Sequence, residues 1–217
     1  KAVYKTLSQI NRFVQLRGNL KLWRATTPDS PVGCKRILVT SEWYPTMRRK
    51  NVELVSGAIA EVTEDGVVRP DGRSRPADAI VFGTPTYMAG PSAPFKAFLD
   101  ATSSRWAEQR WKDKLAAGFT NSAGHNGDKL NTLQQFSLFA MQHGMTWVGL
   151  GLLPGNHTSN GSAEDLNRLA GFLGAMAQSN ADQPAEAAPG DADRRTAEHL
   201  GARVAQAALR WRQGAAQ

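Results

Sequence analysis

The chain has 217 residues, enough for one medium-sized domain or for one domain with a large appendage. No run of about 18 apolar residues occurs, so a transmembrane helix is excluded and no membrane partner is expected. The net charge of +7 is scattered and no nucleic-acid motif accompanies it, so we expect no nucleic-acid partner.

Residues suited to redox or metal chemistry are scarce. Cys34 is the single cysteine, which excludes an internal disulfide and is typical of a cytoplasmic protein. This cysteine and the four histidines show no metal-ligand spacing, so we expect no metal site. No signal peptide is visible in the first residues. The chain begins with Lys1 and not with Met, from which we expect a fragment or a trimmed chain.

The two parts of the chain differ in charge. Residues 1–78 contain 14 Lys and Arg against 8 Asp and Glu, a net of +6. Residues 79–217 contain 12 against 11, a net of +1. We interpret the basic excess as solvated faces or as a site for a phosphorylated cofactor.

The first part predicts a helix, a loop and a short strand. Apolar residues at helical spacing predict an amphipathic helix within residues 1–24 that ends at Gly18 and Asn19. Pro28 to Gly33 form a loop, and Ile37 to Val39 follow as a short strand. The residues on the helical stripe are Tyr4, Leu7, Ile10 and Val14.

The segment from Asn51 to Val62 fits two patterns. Its apolar residues can alternate as strands, and they also fall at helical spacing. The Asp-Gly pairs at residues 65–66 and 71–72 are hairpin turn signals, with Val67 and Val68 between them.

A buried strand that ends in a loop organises the second part. Ile80 to Phe82 are consecutive and apolar, as a strand covered on both faces requires. Gly83 and Pro85 then break the pattern, and the loop continues to Gly90. In an open α/β sheet, ligands bind just past the carboxyl ends of the strands, so this loop is a candidate site.

Clear alternation of elements follows Gly90. We predict a helix from Pro94, a strand over Leu115 to Phe119, and a polar loop over Thr120 to Gly127. A helix closed by Gly144 and a strand over Met145 to Leu150 come next. The stripe of that helix consists of Leu130, Leu133, Phe136 and Ala140.

The last third predicts two more helices. Ser162 with Asp165 resembles a capping box, which predicts a helix through Ala177. A surface connection over residues 178–193 precedes a closing helix that contains Leu200 and Val204. From Ala79 onward the order predicts an α/β fold, with a parallel sheet and helices on both faces.

Residues 79 to about 211 resemble the flavodoxin-like NAD(P)H-dependent oxidoreductases, including the tryptophan-repressor-binding-protein type of quinone reductase. The match covers about three-fifths of the chain, and its motifs together are specific. The residues that carry it are Phe82 to Met88, Phe98 to Asp100, Trp106, Lys114-Leu115, Thr120 to Ser122 and His143 to Met145.

This resemblance implies FMN as cofactor, NAD(P)H as reductant and a quinone-like acceptor. In the family, one loop lies along the flavin ring and a second meets its pyrimidine edge. Trp106 matches a position that borders the substrate space, and His143 one that borders the ring. The loop positions are Pro85, Thr86, Tyr87 and Met88 in the first loop and Asn121, Ser122, Ala123, Gly124 and His125 in the second. The family is usually glycine-richer in the second loop, and Ala123, His125 and Asn126 depart from that pattern.

Residues 4–84 resemble a different group, the late FAD-domain segment of flavin-containing and Baeyer–Villiger monooxygenases. The glycine motifs that bind dinucleotides in those enzymes have no counterpart here. Both resemblances share the strand over Ala79 to Thr84, so the chain is interpreted as a chimera joined there. The residues that carry the second resemblance are Thr27 to Asp29, Gly33 to Arg36, Tyr44-Pro45, Asn51 to Val55, Asp65 to Val68, Asp71-Gly72 and Ala77 to Thr84.

The predicted domains are therefore a monooxygenase-like segment over 1–78 and a flavodoxin-like domain over 79–217. The second lacks its usual first strand–helix–strand, which normally supplies the phosphate site. In one arrangement, the missing strand is replaced by Ile37 to Val39 and the missing helix by Asn51 to Val62. In the other, Val52 to Val55 form a strand and the Asp-Gly turns a hairpin, which leaves the phosphate unbound and one sheet edge exposed. Replacement phosphate contacts would come from Thr40, Ser41, Thr46, Arg48 and Arg49.

No nucleophile–base pair is identifiable, so the catalytic residues stay unassigned and a hydrolase is disfavoured. In flavin enzymes the cofactor carries the hydride and the protein supplies position and electrostatics. We expect an FMN-dependent oxidoreductase with a small-molecule acceptor. The alternatives are an electron-transfer module and a non-functional fusion. A homo-oligomer is implied by the resemblance alone.

Overall fold

The structure, a computed structural model, describes residues 12–27, 43–53, 61–62, 66–68, 72, 74–184 and 187–215. The chain divides into two compact units. One unit contains residues 1–58 and 183–187, and the other contains residues 59–182 and 188–217. The predicted domain boundary at residue 78 stays a prediction.

The first unit contains short helices. Residues 12–15 are helical and the turn that follows reaches Gly18 at φ +73°, where the sequence predicts the end of the helix. Helix α1 (Leu20–Ala25) begins directly after, because the Asn19 side chain accepts the N–H of Leu22 at 3.1 Å. Helix α2 spans Trp43–Met47. The predicted strand over residues 37–39 lies outside the described residues, as does most of the predicted helical stripe.

A small antiparallel sheet opens the second unit. Strands β1 (Glu61–Val62), β2 (Gly66–Val68) and β3 (Ser74–Pro76) pair in sequence order. The antiparallel pairing of these strands confirms the hairpins that the two Asp-Gly signals predict. Gly66 itself is the first residue of β2, and Asp65 and Asp71 lie outside the described residues. A helix from residue 51 to residue 62 is wrong at both described ends, since residues 51–53 are not helical and residues 61–62 form β1.

The central sheet of the second unit is mainly parallel. Strands β4 (Ala79–Tyr87), β6 (Leu115–Ser122), β7 (Thr146–Trp147) and β8 (Ala175–Gln178) supply its parallel pairs. Strand β5 (Gly90–Pro91) folds back on the end of β4. Strand β7 pairs with the start of β6 and β8 with its end, so together they occupy one side of β6.

Helices cover both faces of this sheet. Helices α3 (Ala93–Ala101), α4 (Ser103–Ala107) and α5 (Lys129–Gln142) follow β5 and β6, and α6 (Asp191–Ala215) closes the chain. Phe82, Leu133 and Phe136 belong to one core cluster. Leu200 and Val204 of α6 belong to another, with Leu115 and Ala117 of β6. The predicted α/β class and the flavodoxin-like arrangement from β4 onward are therefore confirmed.

The predicted helix over residues 162–177 is wrong. The capping contact exists, because Asp165 Oδ2 accepts the N–H of Ser162 at 2.8 Å. However, Asn167 and Ala170 adopt positive φ values of 53° and 54°, which end any helix. The segment stays irregular until β8 pairs with β6, so tertiary pairing overrides the local signal.

One edge of β4 has no partner strand among the described strands. Strand β5 pairs only with the last two residues of β4. Along residues 79–85 the edge of β4 borders a groove of about 700 Å³, which is also lined by Phe95, Phe98 and Trp111. Val81 is 44% exposed beside this edge. Whether the N-terminal strand–helix unit is altered stays a prediction, because residues 37–39, the candidate replacement strand, lie outside the described residues.

Candidate functional site

Two loops leave the sheet side by side. In the parallel register, Pro85 of β4 lies opposite Asn121 of β6. The loop after β4 and the loop after β6 therefore begin at the same edge of the sheet, as the sequence predicts. Residues 85–88 and 121–125 are brought together by this pairing rather than by their side chains.

A chain of threonine hydroxyls fixes the strands just before the loops. Thr120 Oγ1 donates to the carbonyl oxygen of Thr84 at 2.7 Å, so it must accept the hydrogen of Thr86 Oγ1 at 2.8 Å. Thr86 then accepts from Thr132 of α5 at 2.7 Å. All four threonines are buried, which makes this network rigid and sensitive to the loss of one member.

The first loop is a tight hairpin. Met88 and Ala89 have φ values of 48° and 66°, as a two-residue turn between β4 and β5 requires. Asn131 of α5 donates to the carbonyl oxygen of Ala89 at 2.6 Å and ties the turn to the helix. Tyr87 is 61% exposed and Met88 fully exposed, so both side chains are available to a ligand. Thr86, by contrast, is buried.

The second loop wraps a buried lysine. Lys129 is 0% exposed, and its ammonium donates to Ser122 Oγ at 2.7 Å and to the carbonyl oxygen of Gly124 at 2.6 Å. Ser122 Oγ also donates to that carbonyl oxygen at 3.1 Å. Gly127 has φ +54°, and a Cβ there would lie 2.1 Å from Ser122 Oγ, so only glycine fits.

Sequence analysis did not identify Lys129. A signal was present, because Lys129 precedes Leu133 by four residues and Phe136 by seven, which places it on the buried stripe of α5. The predicted stripe used Leu130 instead, which is 47% exposed. Lysine at a core position is rare and marks a group with a specific partner.

A third segment closes the site. The N–H of Ser179 donates to the carbonyl oxygen of Ser122 at 3.1 Å, and Asn121 Nδ2 donates to Ser179 Oγ at 2.9 Å. Gln178 Nε2 donates to the carbonyl oxygen of Ala123 at 2.9 Å. The ends of β4, β6 and β8 thus form one framework around the second loop.

Three charged groups lie close to this framework. Arg168 binds Asp193 through two hydrogen bonds of 2.8 and 2.7 Å, and Asp193 also accepts the N–H of Gln178 at 2.8 Å. Burial lowers the pKa of Lys129, Asp193 opposes that shift, and Arg168 adds to it. Because Arg168 and Asp193 neutralise each other, Lys129 supplies the net positive charge of this cluster.

His143 and Trp106 lie away from the loops. His143 caps the far end of α5, a helix of 14 residues whose first residue is Lys129, so about 20 Å of helix separates it from the second loop. His143 is buried against Trp111 and Phe139, at ring distances of 4.5 and 4.6 Å. Trp106 is 50% exposed in α4, and its carbonyl oxygen accepts from Gln109, which also donates to Gln142 at the end of α5. Within one chain, the structure therefore does not bring either residue to the loops.

The candidate phosphate contacts lie in the first unit. Thr46 belongs to α2, and Arg48 and Arg49 follow it in the turn. Thr40 and Ser41 lie outside the described residues.

The residues of the second loop fit the ring of FMN. Within the described chain, no backbone N–H of residues 123–128 donates to another protein group. These residues are largely exposed, so their N–H groups are available to the carbonyl oxygens and ring nitrogens of a flavin. Tyr87 of the first loop adds an aromatic surface beside them. The donors suit a planar, acceptor-rich ligand.

Similarity to known proteins agrees with this geometry. A model of the family described as NADPH-dependent FMN reductase matches residues 48–158. Flavodoxin FldP of Pseudomonas aeruginosa is 47% identical over 129 residues, which cover 59% of this chain and 69% of that protein. An NAD(P)H dehydrogenase (quinone) of Geotalea uraniireducens is 31% identical over 144 residues, 64% of this chain and 66% of that one.

A relative of another class also matches. A Baeyer–Villiger monooxygenase of Streptomyces coelicolor is 36% identical over 102 residues, which cover 44% of this chain. The chain spans only 19% of the length of that monooxygenase. Part of this chain is thus similar to proteins other than the flavodoxin-type relatives.

Among the described residues, no helix is both long enough and apolar enough to cross a membrane.

Proposed function

Because the chain belongs to the NADPH-dependent FMN reductase family, we propose that it is an FMN enzyme that passes electrons from NAD(P)H to a quinone-like acceptor. The family confirms the predictions of an oxidoreductase, of FMN as cofactor and of NAD(P)H as reductant. The quinone-like acceptor and the residues of the site are the proposed part.

One observation carries the proposal: the parallel register that sets Pro85 opposite Asn121. It places an exposed aromatic side chain, Tyr87, at the same edge as the open N–H groups of residues 123–128. A flavin ring needs both a flat apolar surface and hydrogen-bond donors at its polar edge.

The residues of the two loops have two different proposed roles, contact with the flavin and support of the loops. Tyr87 and Met88 would cover the ring, and the N–H groups of residues 123–125 would bind its polar edge. When bound, the flavin supplies the hydride chemistry. Thr86, Asn121 and Ser122 would hold the two loops in place, because each is bonded to a neighbouring element rather than open to a ligand.

A quinone-like acceptor is supported by the relative from Geotalea uraniireducens, whose name specifies a quinone. The exposed surface at Tyr87 and Met88 suits a flat, largely apolar molecule.

Titration with FMN followed by turnover tests the proposal. Purified protein should quench the fluorescence of added FMN at a 1:1 ratio. Addition of a benzoquinone to the complex should then start or accelerate the oxidation of NADH or NADPH. A protein that leaves FMN fluorescence unchanged would contradict the assignment. Binding of FMN without quinone-dependent oxidation would reject the acceptor alone.

An electron-transfer module is the second candidate, favoured by the 47% identity to a protein named as a flavodoxin. In that case the FMN complex would not consume NAD(P)H by itself. It would instead accept electrons from a separate reductase, measured as bleaching of the flavin absorbance without added quinone.

We also propose that the chain joins a monooxygenase-like segment over residues 1–78 to the flavodoxin-like residues 79–217. The similarity to the monooxygenase of Streptomyces coelicolor supports it, although the reductase family match already begins at residue 48. Trypsin should release one peptide spanning residues 74–96, because a proline follows Arg75. Finding this peptide in protein from the native source supports the join, whereas finding its halves in separate proteins contradicts it.

A cytoplasmic location and a homo-oligomer complete the proposal. The first is inferred from the single cysteine and the second from the family resemblance. Light scattering on the FMN complex measures the oligomeric state.

A further inference from the structure

Lys129 is a buried charged residue that is not one of the groups proposed to contact FMN. Among the described residues, it is the largest charged side chain that is fully buried, yet it lies at the first residue of α5, directly after the second loop. A buried ammonium is costly unless it is paired and hydrogen-bonded. Its position therefore needs an explanation beyond packing.

The hydrogen bonds of Lys129 shape the loop. Its ammonium joins Ser122, at the end of β6, to the carbonyl oxygen of Gly124 in the turn. The two acceptors are two residues apart, so the ammonium holds the chain in the bend that leaves the N–H groups of residues 123–128 open. Gly127 then closes against Ser122 Oγ, where no side chain fits.

The charge of Lys129 is not cancelled nearby. Ser122 and Gly124 are neutral acceptors, and Asp193, the carboxylate among the described residues that raises the pKa of Lys129, already binds Arg168 through both oxygens. The charge also lies in a water-excluded position, where its field is screened less than at a surface. A fixed positive charge behind open N–H groups favours negative charge in a bound ligand.

We propose that Lys129 is a positioning residue that both holds the second loop open for FMN and raises the midpoint potential of the bound cofactor. This role rests on the proposed function. Reduction adds electrons to FMN, and a nearby positive charge stabilises the form with more negative charge. The structure assigns the loop-holding effect to two hydrogen bonds and the potential effect to the charge.

Three variants separate these two effects. Lys129→Met removes the charge and the hydrogen bonds but keeps a flexible side chain of similar length. Lys129→Arg keeps the charge, and Ser122→Ala keeps the charge while it removes one acceptor. Lys114→Met is the matched control, because Lys114 also donates to a carbonyl oxygen, that of Ala77, at 2.7 Å, but at the opposite end of the sheet.

The measurements are FMN dissociation constants from fluorescence quenching and midpoint potentials from dye-coupled reduction. For Lys129→Met, we expect FMN binding at least tenfold weaker and a potential more negative by about 30 mV, which is a tenfold change for a two-electron couple. Lys129→Arg should recover most of the potential. Ser122→Ala should weaken binding while keeping the wild-type potential, and Lys114→Met should change neither value.

The outcomes distinguish the inference from the function on which it rests. If the wild-type protein binds no FMN, the proposed function fails. If the wild type binds FMN and Lys129→Met matches it in affinity and in potential, the role of Lys129 is refuted. Circular dichroism checks folding. If Lys129→Met does not fold, the other two variants decide. Weaker FMN binding by Ser122→Ala with a wild-type midpoint potential supports the proposal. A midpoint potential of Lys129→Arg that is lower by about 30 mV contradicts it.

Discussion

His143 is a neutral histidine held inside the protein. The hydroxyl of Thr102 donates its single hydrogen to the carbonyl oxygen of Leu99 at 2.7 Å, so it can only accept from His143 Nε2 at 3.0 Å. His143 Nδ1 is then the unprotonated nitrogen, and it has no hydrogen-bond partner among the described residues. Protonation would place an unpaired charge in an aromatic environment, and burial accordingly lowers the pKa of His143.

This neutral histidine predicts a loss of stability in mild acid. Below its ordinary pKa of 6.5 the unfolded chain binds a proton that the folded chain does not, so the free energy of unfolding falls as pH decreases from 6.5 to the lower folded pKa. In His143→Phe, the decrease in the free energy of unfolding that comes from protonation of His143 should be absent. Urea unfolding at several pH values from 8 to 5 measures the free energy of unfolding of both proteins.

The matched control is His157→Phe, which alters an exposed histidine. A pH profile for His143→Phe that parallels the wild-type profile would show that protonation of His143 is not what destabilises the fold. An overall difference in stability between the two proteins does not affect this test, because the comparison concerns the slope.

At the level of elements, the buried threonine hydroxyls join β4, β6 and α5. Each hydroxyl in the series donates to the next, from Thr132 through Thr86 and Thr120 to the carbonyl oxygen of Thr84. The donors are all used, so a missing member leaves its neighbour without an acceptor. These bonds lie just before the two loops and fix where the loops start.

Thr86→Val should therefore destabilise the protein by about 1–3 kcal/mol, the cost of leaving a buried hydroxyl unpaired. Urea unfolding at pH 7 measures the difference. Thr158→Val, at an exposed position, should stay within about 0.5 kcal/mol of the wild type. Equal stability of both variants would mean that the hydroxyl series contributes nothing to the fold.

Long periodic elements could be predicted from the sequence. Three consecutive apolar residues predicted β4, and apolar spacing predicted α5 and α6, because burial imposes these patterns. The helix over residues 162–177 failed for a physical reason. Its capping signal is local and real, but residues 175–178 gain more by pairing with β6 than by continuing a helix.

The candidate site was predictable only in outline. Residues 85–88 and 121–125 cover the ends of β4 and β6 and the turns after them, and parallel strands end at a common edge, so their proximity could be inferred. The predicted break of the first strand at Gly83 and Pro85 is wrong, because β4 continues to Tyr87. The role of Lys129 could not, because a lysine is ordinarily a surface residue. The assignment of His143 to the site rests on the resemblance alone and stays a prediction, since the residue lies at the far end of α5.

At the scale of the whole molecule, the open edge of β4 is a candidate site of self-association. Val81 and Phe119 are 44% and 46% exposed, and the Phe119 ring lies over Gly83, where a Cβ would be 2.1 Å from it. Among the described strands none pairs with this edge between residues 79 and 85. An apolar strand with unpaired backbone groups is a template for association.

Val81→Lys should lower the concentration-dependent association of the protein, because a charge on an edge strand disfavours pairing with another strand. Light scattering over a range of protein concentrations measures this. Gln206→Lys adds the same charge on the exposed side of α6 and is the control. If both variants associate like the wild type, this edge is not where molecules meet.

The pairing of Pro85 with Asn121 also bears on how such proteins diverge. The backbone sets the distance between the two loops, since strand pairing depends little on which side chains the loops carry. In the proposed FMN enzyme, substitutions in either loop would therefore change the surface offered to an acceptor while the spacing of the two loops stays the same. Such a scaffold would allow new acceptors to arise without a change in the sheet.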